Sequence, residues 1–270
     1  MFAPGFPDRT TLVMAHPDDE ALWASSILSR IERIVFCFET LPSSPTLSEG
    51  RRRSLAELPL PNVMSLGLQE SEVFNSAAWP RPVETDYGLA VRKTERSMPG
   101  FSETRYRETH GQLVAALRPL LARSPSVITH NPWGEYGHED HVQVFRAVAD
   151  LQGEIAFTLW VLGYVSNKSY PLMLRHLPRL DCGASPYSTD PELGARLQAL
   201  YTRNGCWTWF EDHTWPARES FYRWLGPRER PVPPHAGSFV NMIWLDWAAR
   251  PDRRSPLRRL LRRAAPLLRQ

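Results

Sequence analysis

Two short clusters gather the residue types that hold metals and move protons. The first is Ala15-His16-Pro17-Asp18-Asp19-Glu20. His16 and Asp19 stand three apart across a turn that Pro17 restricts, so an imidazole and a carboxylate can converge on one ion. That pairing suits zinc. The Asp18-Asp19 pair equally suits the first turn of a helix, where the macrodipole favours acids. The second cluster is His130-Asn131-Pro132-Trp133-Gly134-Glu135-Tyr136-Gly137-His138-Glu139-Asp140-His141. Here His138 and His141 share one face of a first helical turn; taken alone, they read as well as two surface histidines. Three protein ligands with an open position make a catalytic zinc site. Zinc acidifies water and polarises a carbonyl, and a neighbouring carboxylate serves as general base. Together these parts fit amide hydrolysis.

The elements that must position them are legible in outline. Residues 10–15 read as a buried strand, and 21–31 as a helix behind Asp18 and Asp19. A second strand is expected at 34–38, a short helix at 49–58 stopped by Pro59 and Pro61, and a third strand at 63–66. Residues 69–100 lack periodicity and read as a long, substrate-facing loop region. A helix follows at 105–123, a strand at 126–130, a helix at 141–151 and a strand at 155–162. This alternation predicts an α/β fold, a Rossmann-like three-layer αβα sandwich on a mostly parallel sheet. Both clusters then fall where a strand ends and a helix begins, the place where open α/β sheets bind ligands. The whole chain reads as one domain: a core over about 8–165, a less regular aromatic-rich extension over 166–249 and a basic tail at 250–270.

The pairing of A-H-P-D-D-E with a later G-x-Y-G-H-x-x-H, each after a strand, resembles the LmbE-like (PIG-L) de-N-acetylases. The resemblance covers roughly residues 8–165. It implies a zinc ion on His16, Asp19 and His141, with Asp18 as general base. His138 would assist the tetrahedral intermediate or protonate the leaving amine, and Tyr136 would contact the substrate carbonyl. It further implies zinc-dependent hydrolysis of the N-acyl amide, an acetyl amide in the first instance, of an amino sugar in a glycoconjugate such as an N-acetylglucosaminide. Two departures stand out. Ala21-Leu22-Trp23-Ala24-Ser25-Ser26 replaces the Gly-rich run of many relatives, and Arg51-Arg52-Arg53-Ser54 lacks the usual Glu beside the sugar-contacting arginine. Arg51 is the candidate for that contact, and a solvated basic turn is the alternative.

Composition bounds the rest. The chain has 270 residues, 42% hydrophobic and 23% charged, with a net charge of +3. That balance gives no ground for a nucleic-acid partner. Its three cysteines, Cys37, Cys182 and Cys206, form no C-x-x-C pair, and the N-terminal segment does not read as a signal peptide, so a cytoplasmic location is expected. Six of the ten tryptophans lie between Trp207 and Trp247. Trp209 is the candidate sugar-stacking residue, with ordinary aromatic packing as the alternative. The tail carries Arg250, Arg253, Arg254, Arg258, Arg259, Arg262, Arg263 and Arg269 among periodic leucines. It suits peripheral contact with an anionic inner membrane face, and equally a solvated face of a packed helix. The rival functions are a zinc amidase acting on another amide, such as a thiol conjugate or an antibiotic intermediate, and an inactive sugar-binding module.

Overall fold

The computed structural model describes residues 9–95, 97–181, 186–231 and 240–245. The Arg-rich tail and Cys182 lie outside them. The chain runs β1 (Thr10–Met14), α1 (Asp19–Trp23), β2 (Arg33–Thr40), α2 (Pro45–Glu57) and β3 (Val63–Gln69). Next come the short strands β4 (Glu84–Thr85) and β5 (Gly88–Leu89), then α3 (Glu103–Leu121), β6 (Ser126–Thr129), α4 (Glu139–Glu154) and β7 (Thr158–Leu162). The C-terminal third adds β8 (Tyr164–Ser166), α5 (Tyr170–His176), β9 (Leu180–Asp181), β10 (Tyr187–Ser188), α6 (Pro191–Arg203), β11 (Arg218–Glu219), β12 (Phe221–Trp224) and β13 (Asn241–Ile243).

Seven strands form the central sheet in the order β3-β2-β1-β6-β7-β12-β9. The first five pair in parallel, while β12 and β9 add antiparallel at one edge. Alternate side chains of each inner strand enter opposite layers. Val13, Val35, Val127 and Leu159 pack with Leu113, Leu117 and Leu121 of α3 and Val144, Val148 and Leu151 of α4. Leu12, Met14, Ile34, Phe36 and Ile128 pack with Leu22 and Trp23 of α1 and Leu193, Leu197 and Tyr201 of α6. The expected three-layer α/β architecture is therefore present.

Several local expectations change, each for a visible reason. The helix expected over 21–31 stops at Trp23, because Ser25 Oγ and the Ser26 amide both donate to Glu219 (3.1 and 2.9 Å) and turn the chain aside. α2 starts at Pro45, capped by Ser44, earlier than its apolar pattern indicated. Within the extension α6 is regular, with Asp190 accepting from the Leu193 amide at 2.9 Å and Pro191 in its first turn. Strands β9 and β12 weave that extension into the central sheet. Among the described residues, no helix is long and apolar enough to cross a membrane.

Candidate active site

The sheet order reverses its direction of growth at β1 and β6, which are neighbours with Val13 opposite Thr129. Loops leaving the two strands diverge there and open a crevice. This is how residues 16–20 and 130–141, distant in sequence, come to share one site. The contact is direct: the Ala15 amide donates to His130 Nε2 at 2.8 Å.

On the β1 side, Asp18 sits at φ 114°, ψ −21°, a strained conformation for a non-glycine residue. Its amide donates to Glu20 Oε2 (3.2 Å), and its Oδ2 accepts both the amide and the hydroxyl of Thr208 (3.0 and 2.7 Å). Burial and the neighbouring Asp19 push the Asp18 carboxyl up to about 6. Asp19 accepts from the His16 amide (2.8 Å) and from Trp23 Nε1 (3.1 Å). Burial works against its charge, yet His141, His130 and His16 hold it well below the usual carboxylate range.

On the β6 side, the turn from Asn131 to Gly137 uses positive φ at Gly134 (64°), Glu135 (47°) and Gly137 (86°). It aims Glu135 back beneath the site. Glu135 Oε2 meets Nδ1 of both His130 (2.9 Å) and His141 (2.6 Å), while Oε1 accepts from the Asn131 amide (2.9 Å). Each imidazole therefore presents a defined face. His130 has already spent its Nε2 lone pair on the Ala15 amide. His141 Nε2 is buried without a hydrogen bond, 3.3 Å from Asp19 Oδ1. His16 Nδ1 lies 3.3 Å from Asp19 Oδ2. The Asp19 carboxylate is thus flanked by two imidazoles.

Among the described residues, three overlapping groups of His, Asp and Glu atoms lie close enough to share an ion: His16–His138–His141, Asp19–His130–His141 and His16–Glu70–Asp140. The tautomers sort them. His130 is fully engaged. His138 caps α4, its Nδ1 accepting the Asp140 amide at 3.2 Å, so its neutral form carries the proton on Nε2 and is a donor. His141 and Asp19 remain as ligating groups with free lone pairs, and His16 adjoins both. The electrostatics also favour a cation: despite burial, Glu70, Asp140 and Asp19 raise His16 to about 10, and Asp19 and Glu135 raise His141 to about 9. His16 and His141 thus each bring a ring nitrogen within 3.3 Å of the Asp19 carboxylate, a set of donor types that suits a metal ion. His138 behaves oppositely. Burial and the charges of His141 and His16 hold it well below the ordinary histidine value.

Above lies a cavity of about 570 Å³. His16, Asp18, Asp19, Arg51, Tyr136, His138 and Trp209 all line it, so seven of the eight residues singled out from sequence converge there. His141 is fully buried. Tyr136 packs against His138 and Trp209, with ring centroids 5.7 and 4.8 Å apart. Arg51 is not a solvated turn residue: it is 3% exposed and ion-paired to Glu70, which approaches His16 Nε2 at 3.6 Å. Trp209 stands edge-on to Trp23 at 5.1 Å, forming part of the wall.

The sequence reading passed over Glu70, Thr208, Glu135 and Lys168. Glu135 and Glu70 carried a signal, since one lies inside the second cluster and the other just beyond the end of β3. Thr208 carried none, because its role depends on how the loop after α6 folds back.

No protein-family model and no curated protein sequence matches the chain. Solved structures do resemble it in fold. The zinc-inhibited form of teicoplanin deacetylase Orf2 superposes with a TM-score of 0.50 at 15% identity, covering 79% of this chain and 97% of that one. A deacetylase–teicoplanin complex gives 0.49 at 16%, covering 80% and 98%. A40926 pseudoaglycone deacetylase Dbv21 gives 0.47 at 15%, covering 84% and 99%. At these identities the likeness to Orf2 is one of backbone architecture.

Proposed function

We propose that the protein is a zinc-dependent hydrolase that removes the N-acyl group, an acetyl, from an amino sugar in a glycoconjugate. The observation that carries this reading is the Asp19 carboxylate, flanked by His16 and His141 at 3.3 Å on the cavity floor, with Asp18 beside it. A zinc ion held by His16, Asp19 and His141 supplies Lewis acidity toward the amide carbonyl and acidifies water.

The chain's own groups provide the rest. Thr208 occupies Asp18 Oδ2, which leaves Oδ1 to take the proton of the attacking water. As the C–N bond breaks, that proton passes from Asp18 to the amine nitrogen, giving free amine and carboxylate. Neutral His138 offers its Nε2–H to the developing oxyanion, and Tyr136, whose phenol burial raises well above its ordinary value, remains protonated as a second donor. Of the two roles open to His138 from sequence, this tautomer supports the oxyanion donor.

The amino-sugar part rests on the motif resemblance. The fold is also the one in which teicoplanin deacetylase Orf2 is built. A second reading, an amidase on a non-sugar amide, draws on the apolar wall of Leu22, Leu41, Leu47, Met98 and Phe210. Asp18→Asn is the test of mechanism. It should keep stoichiometric zinc while kcat drops about 10²- to 10⁴-fold. Turnover near wild type would remove Asp18 as the base.

A further inference from the structure

All but two of the chain's 32 basic residues are arginine, and one of the two lysines is buried in the wall of this cavity. Lys168 is 1% exposed. Its Nζ donates to Asn75 Oδ1 (2.7 Å) and to the Gly137 carbonyl (2.6 Å), both neutral acceptors. It lies 5.0 Å from the ring centre of Phe74 and 4.9 Å from that of Trp79. Phe74 in turn stacks on His138 at 4.7 Å. Among the described residues, no carboxylate forms an ion pair with Nζ. Glu139 is the acid that most supports the charge, but its oxygens are taken by the amides of Asn75, Ser76 and Ala77 and by Trp79 Nε1. Arg51, by contrast, is committed to Glu70.

A buried ammonium with no direct ion pair is costly, and an anion in contact with it would offset that cost. An ammonium is a compact point charge with three donors, and two of them are already used. The backbone makes room for it: a Cβ on Gly137 would sit 3.0 Å from Lys168 Cδ and Cε. Burial lowers the Lys168 ammonium to about 8, with Glu139 opposing the fall, so an anion bound beside Nζ would favour the charged form.

We propose that Lys168 anchors a negatively charged substituent, a carboxylate or a phosphate, on the acylated amine that enters this cavity. The proposal rests on the deacylase reading for the rest of the substrate. Three probes share one ring and differ at one carbon: N-acetylglucosamine, its 6-carboxylate and its 6-phosphate. Calorimetric titration of the zinc-loaded and zinc-free protein measures their binding, and amine release measures turnover. A charged probe should bind about 10- to 100-fold more tightly than the neutral one, and whichever does so identifies the anion. Lys168→Met should erase that preference, with the loss falling on KM. Lys168→Arg should retain part of it, which a merely structural role would not predict, and thermal unfolding checks that both variants fold. If a charged probe binds through Lys168 but none is hydrolysed, this proposal stands and the deacylase reading falls. No charged probe binding better than the neutral one, or a preference that survives Lys168→Met, overturns it.

Discussion

Glu135 gives two histidines different jobs through one oxygen. His130 and His141 both meet Oε2, but His130 Nε2 takes the Ala15 amide and ties β6 to β1, while His141 Nε2 is left open beside Asp19. The surrounding carboxylates then hold protons on His16 and His141, to about 10 and about 9 against a starting value of 6.5. Both folded-state values lie above the unfolded one. In the metal-free protein their stabilising contribution is complete below pH 6.5 and is lost as pH rises through about 9 and about 10. In the proposed site zinc would take the place of those protons, so the rise in Tm on adding zinc should grow with pH across this window. Thermal scans with and without zinc check it; a rise in Tm that stays flat or shrinks would contradict the ligand assignment. The pair Asp18 and Asp19 shows how far sequence reached at this scale. Their types and order do not tell one carboxylate from the other, and the proposed roles of base for Asp18 and ligand for Asp19 come from the resemblance. Thr208, which orients Asp18, is invisible without coordinates because it arrives from a loop far along the chain.

The turn from Asn131 to Gly137 is the element on which the site depends most. Gly134 at φ 64° leaves no space for a side chain, since a Cβ would meet the His138 carbonyl at 2.5 Å. Gly134→Ala should therefore cost about 1–2 kcal/mol for the left-handed backbone alone, seen as a lower Tm, and should weaken zinc binding because His138 and His141 shift with the turn. A variant with unchanged Tm and zinc affinity would remove the turn from this role. The strands of the parallel sheet were legible because their apolar runs are continuous, as burial on both faces requires. α1 was not, because what ends it is Glu219, which no local pattern connects to Ser25 and Ser26. α6 was readable from Asp190-Pro191-Glu192, a start signal obscured by the Pro- and Trp-rich stretches around it.

At the scale of the molecule, the sheet delivers both clusters to one crevice and the C-terminal third closes it. Thr208 and Trp209 come from that third, as does Lys168, and they meet Phe74 and Asn75 from the long loop after β3. Glu139 binds that loop down through four donors. Residues 69–100 lack periodicity and are expected from sequence to face substrate; Glu70, Phe74, Asn75 and Met98 of that segment line the cavity, and the partners they meet there carry no sequence signal. The measurement that tests the account most directly is amine release from a panel of N-acetylglucosaminides as the metal-free protein is titrated with Zn²⁺. Activity should be absent without metal and climb until one equivalent is bound. Full activity in the metal-free protein, or no amine released from any member at full zinc occupancy, would contradict it.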